Sequence, residues 1–157
     1  MIDLIVLARW LHVIGACVLL GTGAGIAFFM LMAHRSHNPA LIAHVAGTVV
    51  IADFLFTASA VVVQPLTGLW LARLIGWPLM TPWIVLAMGF YVLVGFFWLP
   101  VVWLQVRMRD LARHAAATGE ELPATYFRYF RTWFACGFPA FAAVLAIVWL
   151  MLAKPIF

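Results

Sequence analysis

Charge is what this sequence most lacks. Of its 157 residues five are acidic, Asp3, Asp53, Asp110, Glu120 and Glu121, and nine are Lys or Arg, so 9% are charged. A soluble domain carries about 25%. The shortage excludes a water-exposed catalytic domain. It also excludes paired-carboxylate chemistry, because Glu120 and Glu121, the one close acidic pair, are neighbours in a loop and read as solvated. Cysteine is scarce as well. Cys17 and Cys136 are the two, too few for a stapled scaffold, and each falls in an apolar run where a thiol behaves as a small apolar residue. No phosphate-binding loop, nucleophile elbow or nucleic-acid motif is present. The net charge of +4 comes from basic residues beside the apolar runs, where they set membrane orientation, so no nucleic-acid partner is expected.

What the chain has in abundance is apolar length. Four runs, Leu4 to Met32, Leu41 to Leu74, Trp83 to Val106 and Trp133 to Ala153, make up most of it, and 68% of all residues are hydrophobic. About 20 apolar residues in a helix cross the roughly 30 Å of bilayer hydrocarbon, and each run is at least that long. The expected fold is all-α: a polytopic membrane protein with four transmembrane helices in an up-and-down bundle. It forms a single domain over 1–157, with spans at about 4–33, 41–74, 82–107 and 131–153. The first run is expected to stay as a span, since Asp3 and Arg9 occupy the place of a basic leader and no small-x-small site follows.

Orientation follows from the arginines. Arg35, Arg107, Arg109, Arg113, Arg128 and Arg131 belong to the first and third loops, against Arg9, Arg73 and Lys154 toward the other side. The positive-inside rule then puts both termini outside, in a bacterial-type inner membrane whose lipid is the first partner. Trp10, Trp70, Trp77, Trp83 and Trp149 would form one interfacial belt, and Trp98, Trp103 and Trp133 the other. Pro65 and Pro100 predict kinks whose freed backbone groups are satisfied by neighbouring helices or water. The third helix should run on through Arg113 until Gly119 and Pro123 end it. Tyr126, Tyr129 and Phe130 read as interfacial residues leading into span four.

Polar residues inside the spans are the functional candidates. His12 lies two to three turns into span one, and an imidazole there can bind a haem iron through one nitrogen while the other is held by a hydrogen bond. Arg9, one turn nearer the outside, is placed for a haem propionate. Gly15 and Gly23 clear space on the same side. Tyr91 and Gln64 are expected at similar depth, as pocket supports or as hydrogen-bond partners of His12, and Met88 is a candidate second axial ligand. Asp53 sits near the middle of span two, where a carboxylate must be paired, protonated or beside water. It is a proton-relay candidate, or else a structural group bonded to Thr57, Thr22 or a carbonyl. His34, His37 and His44 have the wrong company for a metal site and read as a solvated loop with His44 at the interface. His114 reads as surface.

Several segments carry a resemblance: Arg9-Trp10-Leu11-His12 with the glycine-bearing helix after it, Leu66-Thr67-Gly68-Leu69-Trp70-Leu71-Ala72 closing span two, Tyr129-Phe130-Arg131, and Ala146-Ile147-Val148 through Lys154-Pro155. In these the chain resembles the bacterial four-helix membrane protoporphyrinogen oxidase family, and more closely its relatives, small integral membrane proteins of unknown function. The resemblance covers most of the chain in order. It implies haem b on His12, with Arg9 as the basic residue before it. Where that family has a His-x-Lys pair this chain reads Val85-Leu86-Ala87, and where it has Asn-Glu this chain has Gly137-Phe138, so porphyrinogen oxidation is not implied.

The expectation is a haem b-binding membrane protein with a redox role, in which electrons pass between a quinone or membrane redox partner and an acceptor outside. Whether it is an enzyme stays open. The alternative is a non-catalytic membrane subunit or assembly factor in which His12 bridges helices and span one associates with a second copy or another subunit. A third reading is a proton or solute conduit using Asp53.

Overall fold

A computed structural model describes residues 3–155. Its helices are α1 Leu4–Arg35, α2 Pro39–Ile75, α3 Pro82–Thr118 and α4 Ala124–Ala153, each long and apolar enough to cross a membrane, and no strand is present among the described residues. The chain is an all-helical, four-helix membrane bundle.

Local chemistry fixes the helix ends. The Asp3 carboxylate accepts from the Ile5 amide at 3.0 Å at the start of α1. Asn38 accepts from Ala40 and Leu41 at 2.9 and 3.2 Å, with Pro39 in the first turn of α2, which satisfies amides that have no partner inside the helix. Gly76 and Gly119, at φ +83° and +72°, end α2 and α3 in the left-handed conformation that glycine adopts without strain. α2 and α3, 37 residues each, are about 55 Å long, so they project beyond the hydrocarbon.

The two ends of the bundle pack differently. At the arginine-rich end Met30, Ile42, Leu104, Met108, Tyr126, Phe130 and Trp133 form one buried core. At the opposite end a smaller cluster gathers Trp83, Ile84, Ala87 and Leu150. α3 and α4 lie against each other, and the first half of α2 packs on both α3 and α1. Its second half, Ala58–Ile75, packs on α1 and keeps little backbone contact with α3. The helices therefore separate into two pairs toward the opposite end. α1 touches α4 only sparsely, and a void opens between the pairs.

Two expectations about aromatic residues are corrected. Tyr126 and Phe130 are core residues, 0% and 7% exposed, because α4 starts at Ala124, well before its apolar run, and its first turns point inward. Trp98 and Trp133 turn inward from their belt as well, whereas Trp83 stays at the outer end, packed against Trp77. Trp83 and Trp133 are buried, and the Trp98 and Trp133 indoles join the polar network described below.

The helices run through Pro65, Pro100 and the unanticipated Pro139. Proline removes the amide that would bond the carbonyl four residues earlier. For Pro65 that carbonyl belongs to Val61, and the Tyr91 hydroxyl donates to it from α3, so a neighbouring helix satisfies the group that the proline frees. Just before, Asp53–Thr57 widens into a π-type turn in which the Ala58 amide reaches back to the Asp53 carbonyl. Single π turns are frequent at functional sites.

Close α1–α2 contact rests on glycine opposite a polar side chain, twice. Gly15 is buried against the Gln64 amide, and a Cβ on Gly68 would lie 3.0 Å from His12 Cε1. A Cβ on Gly15 would run into Gln64 Oε1. Gly15→Leu should therefore destabilise the detergent-solubilised protein by about 1–3 kcal/mol, the usual range for overpacking. Gly21→Leu, where a Cβ meets nothing within 4 Å, should leave thermal unfolding near wild type. Equal melting temperatures for the two variants would contradict this packing.

Candidate functional site

Between the two helix pairs lies a cavity of about 560 Å³, walled by all four helices, in the size range of small-molecule sites. Its surface is almost wholly apolar. Leu19, Gly23 and Ala27 come from α1, Val94 and Val101 from α3, and Gly137, Phe141 and Leu145 from α4. The polar exceptions are Asp53, Thr57 and Gln64 on α2, Tyr91, Trp98 and Gln105 on α3, and Trp133 on α4.

Asp53, 3% exposed, is the centre of this polar set. The Trp98 indole N–H donates to its Oδ1 at 3.3 Å. The Gln105 amide satisfies both of its neighbours in one orientation, its nitrogen 3.2 Å from Asp53 Oδ2 and its oxygen 3.2 Å from Trp133 Nε1. The donors thus run in one direction: Trp133 to Gln105, Gln105 to Asp53, and Trp98 to Asp53. A buried carboxyl in a membrane is tolerated only with such partners. No cation takes part, since the one side-chain ion pair among the described residues is Arg109 with Asp110 at 2.8 Å. Two further polar atoms in the cavity wall, Thr57 Oγ1 and Gln64 Oε1, are buried without a hydrogen-bond partner among the described residues. The Gln64 oxygen is turned to Gly15 at the α1–α2 seam, and the Thr57 hydroxyl stands beside the Asp53 carboxyl.

The residues anticipated for one haem pocket separate into two places. Tyr91 and Gln64 line the cavity, with Asp53; His12, Arg9 and Met88 do not. His12 lies half-buried between α1 and α2, its Nδ1 3.1 Å from Thr67 Oγ1. That threonine hydroxyl spends its single proton on the Val63 or Gln64 carbonyl, at 2.9 and 3.1 Å, so it accepts from His12. The imidazole is therefore the Nδ1–H tautomer, and Nε2 keeps its lone pair and makes no hydrogen bond among the described residues. Arg9 is exposed. Met88 is 38% exposed on α3, a helix that α1 barely touches. The space beside Gly15, expected to be open, holds the Gln64 amide. Asp53 bonds Trp98 and Gln105 in place of Thr22 or a backbone carbonyl, and of the partners expected for it Thr57 stands beside it.

The histidines of the first loop also part company. His34 stacks on Phe130 with ring centroids 3.6 Å apart and 8° between planes, and its Nδ1 lies 3.3 Å from the Tyr126 hydroxyl. Both groups lie just beyond the apolar runs. Burial, then the nearby His37, pushes the His34 pKa down, and burial pushes the Tyr126 pKa up, so both stay neutral at physiological pH. His44 is exposed on α2. No group of three His, Cys, Asp or Glu side chains suited to a metal occurs among the described residues.

Gln105, Trp98 and Trp133 were not anticipated as site residues. A depth count finds the first: Asp53 is 14 residues after Pro39 (53 − 39) and Gln105 is 13 before Thr118 (118 − 105), on antiparallel helices that begin and end together at the arginine-rich end.

Residues 6–155 match a family described as predicted integral membrane protein, DUF2269. The chain belongs to that family. No curated protein and no solved structure matches it. Membership in DUF2269 agrees with the four spans and carries no activity, so what this DUF2269 chain does is argued from the cavity and its polar wall.

Proposed function

We propose that the protein binds a lipid-soluble small molecule inside the bundle, admitted from the bilayer between α1 and α4, with its polar head against the Asp53 network. What carries this reading is the cavity itself: an apolar volume of about 560 Å³ with one polar set, Asp53, Tyr91, Trp98 and Gln105, in its wall. A ring that both accepts and donates hydrogen bonds on an apolar tail suits such a site, and quinones and quinols have that chemistry. Asp53, held by Trp98 and Gln105, would orient the head, and the apolar α1 and α4 faces would take the tail. The test uses nanodisc-embedded protein titrated with decyl-benzoquinone, which quenches tryptophan on contact. Trp98 and Trp133 at the cavity should give saturable quenching. A linear response that follows membrane partitioning alone would sink the reading.

A second reading is haem b on His12 with a redox role. One observation favours it: the Thr67 bond leaves Nε2 as the free lone pair, the state in which a histidine ligates iron while its other nitrogen is held. Arg9, one turn away and exposed, would meet a propionate, and the resemblance of Arg9-Trp10-Leu11-His12 to the membrane oxidase family points the same way. Haem would supply one-electron chemistry there, and this chain's part is to fix the imidazole. Protein from haem-replete cells should then show a Soret band that sharpens with dithionite and disappears in His12→Ala. A colourless wild type would leave His12 as the bridge to Thr67.

A further inference from the structure

We infer that the notch where α2 meets α3 at the arginine-rich end is a phosphate-headgroup site for an anionic phospholipid. This rests on a surface separate from the cavity and is independent of what the cavity binds. The notch has a volume of about 310 Å³ and is lined by Ala43, His44, Gly47, Thr48, Ile51 and Arg113. Gly47 creates it: a Cβ there would stand 3.3 Å from Arg113 Nη2, so the missing side chain lets the guanidinium lie against the α2 backbone.

Among the described residues Arg113 has no carboxylate partner. The nearest basic neighbour on its helix, Arg109, is already paired with Asp110, which leaves Arg113 as the unneutralised cation of the notch, with the exposed His44 imidazole beside it. The Thr48 hydroxyl donates to the His44 carbonyl at 3.3 Å, so anion recognition falls on Arg113 and His44. Guanidinium binds phosphate through paired, charge-assisted hydrogen bonds.

The surface below the notch says which phosphate. Residues 44, 48, 51 and 55 follow one face of α2 by helical spacing, and the last two, Ile51 and Leu55, are 66% and 60% exposed. A cationic notch thus caps an apolar, lipid-facing stripe. Trp103 under Arg107, 6.0 Å from guanidinium carbon to ring centroid, marks the interface on α3. Arg113 lies six residues further on (113 − 107), about 9 Å along the helix, within reach of headgroups and beyond that of acyl chains. A diacyl phosphate would use both notch and stripe; inorganic phosphate would use the notch alone.

Native mass spectrometry of the detergent-solubilised chain tests this with phosphatidylglycerol, phosphatidylcholine and inorganic phosphate as probes. Wild type should retain phosphatidylglycerol in preference to phosphatidylcholine, and millimolar inorganic phosphate should not displace it. Arg113→Gln should weaken phosphatidylglycerol binding at least tenfold. Arg128→Gln, which removes the same charge from an exposed position elsewhere at this end, should change it less than threefold. Equal losses in the two variants would reduce the effect to general basic attraction and overturn the site. Displacement by inorganic phosphate would overturn the lipid as its occupant.

Discussion

Gly137→Phe should abolish saturable quinone quenching while leaving the bundle at least as stable as wild type. Gly137 lines the cavity from α4, and a Cβ built there meets nothing within 4 Å, so a phenyl ring has room to enter the void. Glycine inside a helix is less favourable than most residues by about 0.5–1 kcal/mol, so the helix gains by the exchange, and the ring buries apolar surface that faced empty space. Stability and binding should therefore move in opposite directions, a combination that misfolding does not produce. Gly23→Phe, from α1 on the other flank and equally unobstructed, should repeat the result. The measurements are the quenching titration in nanodiscs and the melting temperature in detergent. Binding within threefold of wild type in both variants would place the quinone outside the cavity.

How much of this site is visible in the sequence depends on what each residue stands among. Asp53, Gln64 and Tyr91 interrupt apolar runs, and all three line the cavity, because in hydrocarbon a polar group must face protein or water. The four spans are legible for the same reason. Trp98 and Trp133 are not, since a tryptophan near the end of an apolar run reads as an interfacial anchor until its N–H is seen to meet an acceptor. Gln105 was hidden by its closeness to Arg107, which reads as the end of the span, although α3 continues to Thr118.

The partner of His12 was illegible for another reason. Tyr91 and Gln64 were reasonable candidates by depth, but the register of α1 on α2 puts Thr67 opposite the imidazole, and Tyr91 is taken by the Val61 carbonyl that Pro65 leaves open. The proline and the tyrosine are 26 residues apart (91 − 65), so the tie between them is purely tertiary. The π-type turn at Asp53–Thr57 has no sequence signature, yet it alters the helix where the carboxyl enters the cavity.

Asp53 is the position where substitution should hurt the bundle most, and the direction of its hydrogen bonds determines how. Asp53→Ala leaves the Trp98 N–H and one Gln105 N–H without acceptors. At about 1–3 kcal/mol for each buried orphan, reduced by the modest values measured inside membranes, the expected loss is about 2–4 kcal/mol. Asp53→Asn keeps the shape but converts one acceptor into a donor. If the new oxygen serves Trp98, the new amide nitrogen faces the Gln105 nitrogen. Turning Gln105 over relieves that contact but presents its nitrogen to the Trp133 N–H, so two donors collide wherever the conflict is placed. Removing the last donor resolves it: Trp133→Phe should cost about 1 kcal/mol alone, and combined with Asp53→Asn it should cost less than the two separately, because Gln105 is then free to turn. The measurement is a double-mutant cycle on the melting of the detergent-solubilised protein. Strict additivity would mean that Gln105 does not connect Trp133 to Asp53. A positive coupling would establish a directional chain of donors ending on a carboxyl at the cavity wall.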